Sequence, residues 1–416
     1  MATLGQRGSA TREAPRWLGW LACLVPLALG SAANAAPRIA PLPENQWSDT
    51  QRAIVDSVAG GRVTNATATY LRHPVLADHI LPFEHYISSE STLAARHREL
   101  LALRAAWLSR SNYVWAHRAD SARQVGLTDE ELDRIAAGPE AAGWNLFEAA
   151  LLRSADELHV DSFVSDATWE RLAARLSTEQ LIDLVFTVGE FTMIAGAVNS
   201  LGVEIEPELD DRLPYGVPYT VSAKWTNQRL IDKAPRIAPL PREEWTAAVR
   251  ELLDPSDSGR RVANVYGTYV QNLTMDRLRR RVSEHIRDAT TLSDWYREVL
   301  LIRIGVLCRS EYEWAAHSRI GRNVGMSDAD LARIVAGPEH PNDDPVEQAL
   351  LRATDEIYRD DVVSDETWGA LAAALDTEQL LDMLIAIGGY RMFSMAINTF
   401  GVQLDPNPAR FPPHLR

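Results

Sequence analysis

The strongest constraint on this chain is that it says the same thing twice. The stretch Arg98-Glu-Leu-Leu-Ala-Leu-Arg104, followed by Ser111-Asn-Tyr-Val-Trp115, returns as Arg297-Glu-Val-Leu-Leu-Ile-Arg303, followed by Ser310-Glu-Tyr-Glu-Trp314. The offset of 199 positions is constant from Asn65/Asn264 to Gly202/Gly401, through Gly138/Gly337, Trp169/Trp368 and Asn199/Asn398. An ungapped match of that length is a duplication, so the chain has to fold as two copies of one unit. Each unit is long enough for its own core, because a domain near 150 residues buries roughly 70% of its unfolded surface.

The duplication sets the organisation. We read residues 36–205 and 235–405 as the two domains, 206–234 as a linker and 406–416 as a tail. Each copy opens with the leader Arg-Ile-Ala-Pro-Leu-Pro (Arg38 to Pro43, Arg236 to Pro241), whose spaced prolines forbid a helix and favour an extended strap. Inside each copy the apolar period is helical. Leu100–Trp107 and Leu300–Leu307 are apolar all round, as a central helix is. Thr128-Asp-Glu-Glu131 and Ser327-Asp-Ala-Asp330 read as helix starts, and Gly138-Pro139 and Gly337-Pro338 as stops. Thr178 and Thr377 open a last long helix in each copy. No alternating β-branched run is long enough for a strand, so the fold class is all-α, twice.

Charge and cysteine content narrow the chemistry. A net charge of −15 with no basic stripe argues against nucleic acid as a partner. Lys224 and Lys233, both in the linker, are the only lysines, which excludes a lysine Schiff base within either domain. At the N-terminus Arg7, Arg12 and Arg16 precede an apolar run from Trp17 to Gly30, and Ala33-Asn-Ala35 offers a cleavage pattern. Residues 1–35 therefore read as a signal peptide and the protein as periplasmic or secreted, with no membrane attachment after cleavage. Cys308 would then be the one thiol left, a buried apolar filler.

The side chains that could do chemistry gather in the second copy. Ser310, Glu313 and His317 are spaced three and four apart, on one face of a helix. Glu298 lies on the preceding buried helix. Two carboxylates and an imidazole in an apolar interior suit proton transfer, since burial raises a carboxyl pKa and a nearby carboxylate favours the imidazolium. We assign Glu298, Glu313 and His317 as catalytic, and Arg303, Ser310, Tyr312 and Trp314 as substrate-binding. Arg303 would meet a substrate carboxylate or neutralise Glu298. A plainer reading makes Ser310 and Glu313 a capping box and Tyr312 and Trp314 packing residues. No metal site is expected here, because one Glu-x-x-x-His lacks the second histidine ligand that zinc needs. In the first copy Val114 stands for Glu313 and Arg118 for His317. His117 sits one residue early, turned about 100° around the helix. The first copy is therefore read as a scaffold or a divergent site.

These residues resemble the carboxymuconolactone decarboxylase superfamily, which includes alkylhydroperoxidase D-like proteins. The resemblance rests on the two leaders, Arg297-Glu298, Cys308-Arg-Ser-Glu-Tyr-Glu-Trp-Ala-Ala-His317, Val324-Gly-Met-Ser-Asp328, Asp355-Glu356 and Asn398-Thr-Phe-Gly-Val-Gln-Leu404. It implies all-helical domains that pair about a pseudo-two-fold axis, and further assembly as a homo-oligomer. The thiol branch of that family reduces peroxides with a Cys-x-x-Cys pair. Here Ser310 and Glu313 hold those places, which disfavours a peroxidase. The decarboxylase branch works by acid–base chemistry without a cofactor. We therefore expect a cofactor-free lyase or isomerase acting on a small organic acid or lactone through the second domain. A catalytically silent binding or assembly module is the alternative.

Overall fold

The computed structural model describes residues 36–415 apart from 59–62, 220, 222, 224, 225, 227 and 228. The signal-peptide reading of residues 1–35 lies outside them. Among the described residues there are eighteen α-helices and no strand. The first repeat gives α1 (Asp49–Ser57), α2 (Asn65–Tyr70), α3 (Pro74–His85), α4 (Ala95–Leu108), α5 (Asn112–Gln124), α6 (Asp129–Ala137), α7 (Leu146–Asp161), α8 (Asp166–Ala173) and α9 (Thr178–Leu201). The second gives α10 (Ala247–Leu253), α11 (Asn264–Tyr269), α12 (Leu273–Glu284), α13 (Asp294–Leu307), α14 (Glu311–Asn323), α15 (Asp328–Ala336), α16 (Pro345–Asp360), α17 (Asp365–Ala372) and α18 (Thr377–Phe400). A π-helical turn follows α3 (Tyr86–Glu90) and α12 (His285–Ala289).

Local sequence explains the boundaries. Ser177 with Gln180 and Asp376 with Gln379 form capping boxes at the starts of α9 and α18. Both helices end at a glycine in the left-handed region, Gly202 and Gly401. These two helices are long and apolar enough to cross a bilayer, yet they are wholly buried inside the protein. They pack on each other more extensively than any other pair. A Cβ on Gly189 would lie 2.5 Å from Met392 Cγ, and one on Gly388 would lie 2.5 Å from Met193 Cγ. Each glycine thus receives the methionine of the other repeat. Such reciprocity is the mark of two-fold pairing.

The leaders repeat it. Arg38 Nη1 donates to the carbonyl of Val363 in the second repeat, 2.8 Å, and Arg236 Nη1 to that of Val164 in the first, 2.7 Å. Ser200 Oγ accepts from Val363 N at 3.0 Å, and Thr399 Oγ1 from Val164 N at 3.2 Å. The two repeats accordingly share one compact unit spanning Ala36–Arg416. The tail docks back on the second repeat: Arg410 bonds Glu311 Oε1 at 2.7 Å, and Phe411 is buried.

Candidate functional site

The candidate site lies where α14 packs on α13. Arg309 adopts a left-handed conformation (φ 52°) that turns the chain from one helix into the next. A Cβ on Gly305 would lie 3.2 Å from Glu313 Cβ, so the glycine lets Glu313 press against α13. In the first repeat Ala106 and Val114 hold those places.

The three catalytic assignments come together. His317 Nδ1 lies 2.8 Å from Glu298 Oε2, and His317 Nε2 lies 3.5 Å from Glu313 Oε2. The other oxygen of Glu298 accepts from Arg297 Nε at 3.0 Å. Tyr390 of α18 sets its ring edge-on to the imidazole, with centroids 4.8 Å apart. All of these groups are buried. They line a cavity of about 300 Å³, with Tyr266, Tyr269, Arg279, Tyr312, Phe393 and Asp405 among the other walls.

Burial and charge set the proton affinities. Burial pushes the Glu313 carboxyl up from 4.5 to about 7, against the pull of the His317 and Arg279 charges. Burial also disfavours the His317 imidazolium, but the hydrogen bond and charge of Glu298 outweigh it, and the net shift is upward. The two groups facing each other across 3.5 Å are therefore both shifted upward, Glu313 to about 7 by burial and His317 by the Glu298 carboxylate.

Arg279 is the wall that sequence reasoning missed. It is buried on α12, its Nε and Nη2 are held by Asp276 Oδ1 (3.1 and 2.6 Å), and its guanidinium sits 5.0 Å from the Tyr269 ring centroid. Arg277, Arg279, Arg280 and Arg281 stand close together in the sequence, and no local signal marks Arg279 as the one that is buried.

Three substrate-binding assignments are corrected. Arg303 lies outside the cavity: it forks onto Asp355 (2.6 and 2.7 Å) and donates to the carbonyls of Ile334 and Val335 at the end of α15. A cation at a helix C-terminus is favourable, and Gly337 (φ 89°) leaves room for it, since a Cβ there would meet the guanidinium. Arg104 does the same with Asp156, so this is architecture, and Arg303 does not neutralise Glu298. Trp314 donates Nε1 to the Arg410 carbonyl, 2.9 Å, and stacks by Phe411 of the tail. Ser310 is buried but makes no cap hydrogen bond and does not line the cavity. The capping-box reading fails with it, because the Glu313 side chain faces His317. Tyr312 does line the cavity, its hydroxyl donating to Asp405 Oδ2 at 2.7 Å.

The first repeat builds another arrangement from the same positions. Arg118 pairs with both oxygens of Glu99 and lies over the Phe191 ring. His117 turns away, with Nε2 on Glu206 Oε2 at 2.6 Å. Burial raises Glu84 to about 7 and pushes Glu190 well up, so this repeat keeps buried carboxyls but no imidazole between them.

The carboxymuconolactone decarboxylase family model matches residues 74–157 and again 275–356. The chain carries two tandem carboxymuconolactone decarboxylase-like domains. No curated protein matches it. In the second of these domains Glu298, Glu313 and His317 all fall inside the matched segment. Cys308, also inside it, is fully buried, and burial raises its thiol pKa, so it offers little thiolate to a peroxide.

Proposed function

We propose that the second carboxymuconolactone decarboxylase-like domain is an acid–base enzyme of the lyase or isomerase type, acting on a small organic acid or lactone. The observation that carries this reading is the Glu298–His317–Glu313 chain on the wall of a cavity of about 300 Å³. Glu298 accepts from Nδ1–H, which fixes the imidazole and leaves Nε2 toward Glu313 and the cavity. A carboxyl near 7 is suited to take a proton beside a carbonyl and to return it elsewhere. His317 supplies the partner acid, because Glu298 stabilises its cation. Arg279 keeps Nη1 for an anionic group, with Asp276 holding its other two nitrogens.

The test is a screen of lactones and unsaturated acids with wild type, Glu313→Gln and His317→Ala. Turnover is expected in wild type and its loss in both variants, with Val114→Ala in the first repeat fully active. A substrate turned over equally by both second-repeat variants would refute the assignment.

A further inference from the structure

We propose that His73, His285 and Asp382 form a divalent-metal site of the zinc type between the two repeats. His73 caps the start of α3 in the first repeat, while His285 opens the π turn after α12 and Asp382 lies on α18, both in the second. None of the three lines the cavity of the candidate active site. All three are buried, at 2, 1 and 2% exposure.

Their geometry is that of a ligand set. His285 Nε2 lies 2.6 Å and His73 Nε2 3.2 Å from Asp382 Oδ1. The ligand atoms of the trio are all within 4.8 Å of one another. Zinc bonds of roughly 2.0–2.2 Å in a tetrahedron place neighbouring ligand atoms about 3.3 Å apart. The His73 contact is already there, and the His285 contact has to open by under about 1 Å to reach that spacing. Two imidazoles and one carboxylate with a fourth position left open is a zinc-type donor set.

The surroundings point the same way. Asp382 Oδ2 is saturated by Thr291 N (2.6 Å), Thr291 Oγ1 (2.8 Å) and Thr290 Oγ1 (3.0 Å), which holds Oδ1 toward the two histidines. His73 Nε2 is buried without a hydrogen-bond partner. Metal at Nε2 would put the ring proton on Nδ1. The long 3.5 Å cap from Leu76 N–H would then be given up, and Nδ1–H would face Glu378 Oε1, 4.0 Å away. That is the carboxylate–histidine–metal relay of many zinc sites.

Pseudo-symmetry supplies the control. The same three positions at the other end of the pair are Asn272, Tyr86 and Asp183. There Asn272 Nδ2 donates to Asp183 Oδ1 at 2.8 Å, and Tyr86 Oη donates to the same carboxylate at 3.1 Å. The fold closes that end with hydrogen bonds alone, so it does not require two imidazoles on an aspartate.

The experiment is calorimetric titration of zinc chloride into the chelator-stripped full chain, with elemental analysis of the product. One zinc per chain is expected. The double variant His73→Asn with His285→Tyr rebuilds the triad already present at the other end. It is expected to keep the fold and weaken zinc binding at least about 100-fold. Glu378→Gln, at a half-exposed side chain, should weaken it about tenfold. Absence of bound zinc in wild type, or equal affinity in wild type and the double variant, would overturn the site and leave an imidazole–carboxylate pair.

Discussion

Replacing Glu313 by glutamine tests the electrostatics of the site without a substrate. In the folded chain the Glu313 carboxyl is raised from 4.5 to about 7, chiefly by burial. At about 1.4 kcal/mol per pH unit, ionising it inside the fold costs about 3 kcal/mol. A raised carboxyl means that the native state holds a proton that the unfolded chain has released, so wild-type stability falls as pH rises from 4.5 through 7. The uncharged amide of the variant has no such slope. Urea unfolding followed by tryptophan fluorescence and circular dichroism, with coincident transitions, would give the difference at about pH 5 and about pH 8. Relative to wild type, Glu313→Gln should be about 3 kcal/mol more favourable at the higher pH than at the lower. Parallel pH profiles for the two proteins would refute a buried, neutral-range Glu313.

Other expectations follow from neighbouring contacts. Glu298→Gln removes the charge that holds the imidazolium, so burial should win and the His317 pKa, read by NMR, should drop below about 6.5. An unchanged value would mean that Glu298 does not orient His317. Gly388→Ala drives a Cβ into Met193, whose Cα stands 3.1 Å from the added atom, and should cost about 1–3 kcal/mol by urea unfolding; Gly189→Ala should match it within error. Arg104→Ala removes both charge-assisted bonds to the buried Asp156 carboxylate and should cost about 3–5 kcal/mol, far more than loss of a surface arginine. Cys308 should react with a thiol reagent only as fast as the protein unfolds, and rapid native labelling would restore the peroxidase reading.

The parts of the fold that were legible in the sequence are those written locally. Caps, stops and apolar period occur at the same offset in both copies, and the helices begin at matching positions: Asn65 and Asn264, Asn112 and Glu311, Thr178 and Thr377. Glu313 and His317 were legible as neighbours because they stand one helix turn apart, and Glu298 because it lies on the preceding buried helix. Arg303 was misread because its partners are distant in sequence: Asp355 is 52 residues on, and the α15 carbonyls 31 and 32. Trp314 was misread for the same reason, its partner being a tail carbonyl 96 residues away. The histidines and aspartate between the repeats come from positions 73, 285 and 382, a spacing that matches no short motif.

The pattern of change between the repeats separates architecture from chemistry. Arg104/Arg303, Gly138/Gly337, Thr92/Thr291 and Asp183/Asp382 are alike in both copies, and each holds a helix end, a loop or the contact between repeats. The cavity positions change together: Arg279, Glu313, His317 and Tyr390 face Ile80, Val114, Arg118 and Phe191. In the first repeat a permanent cation locks Glu99, so its carboxylate has no exchangeable partner proton. In the second an imidazole takes that place and adds a proton that can leave. These four differences meet on the walls of one cavity, while Glu99/Glu298 and Tyr113/Tyr312 are kept, and they are the changes that the proposed acid–base reading of the second repeat rests on.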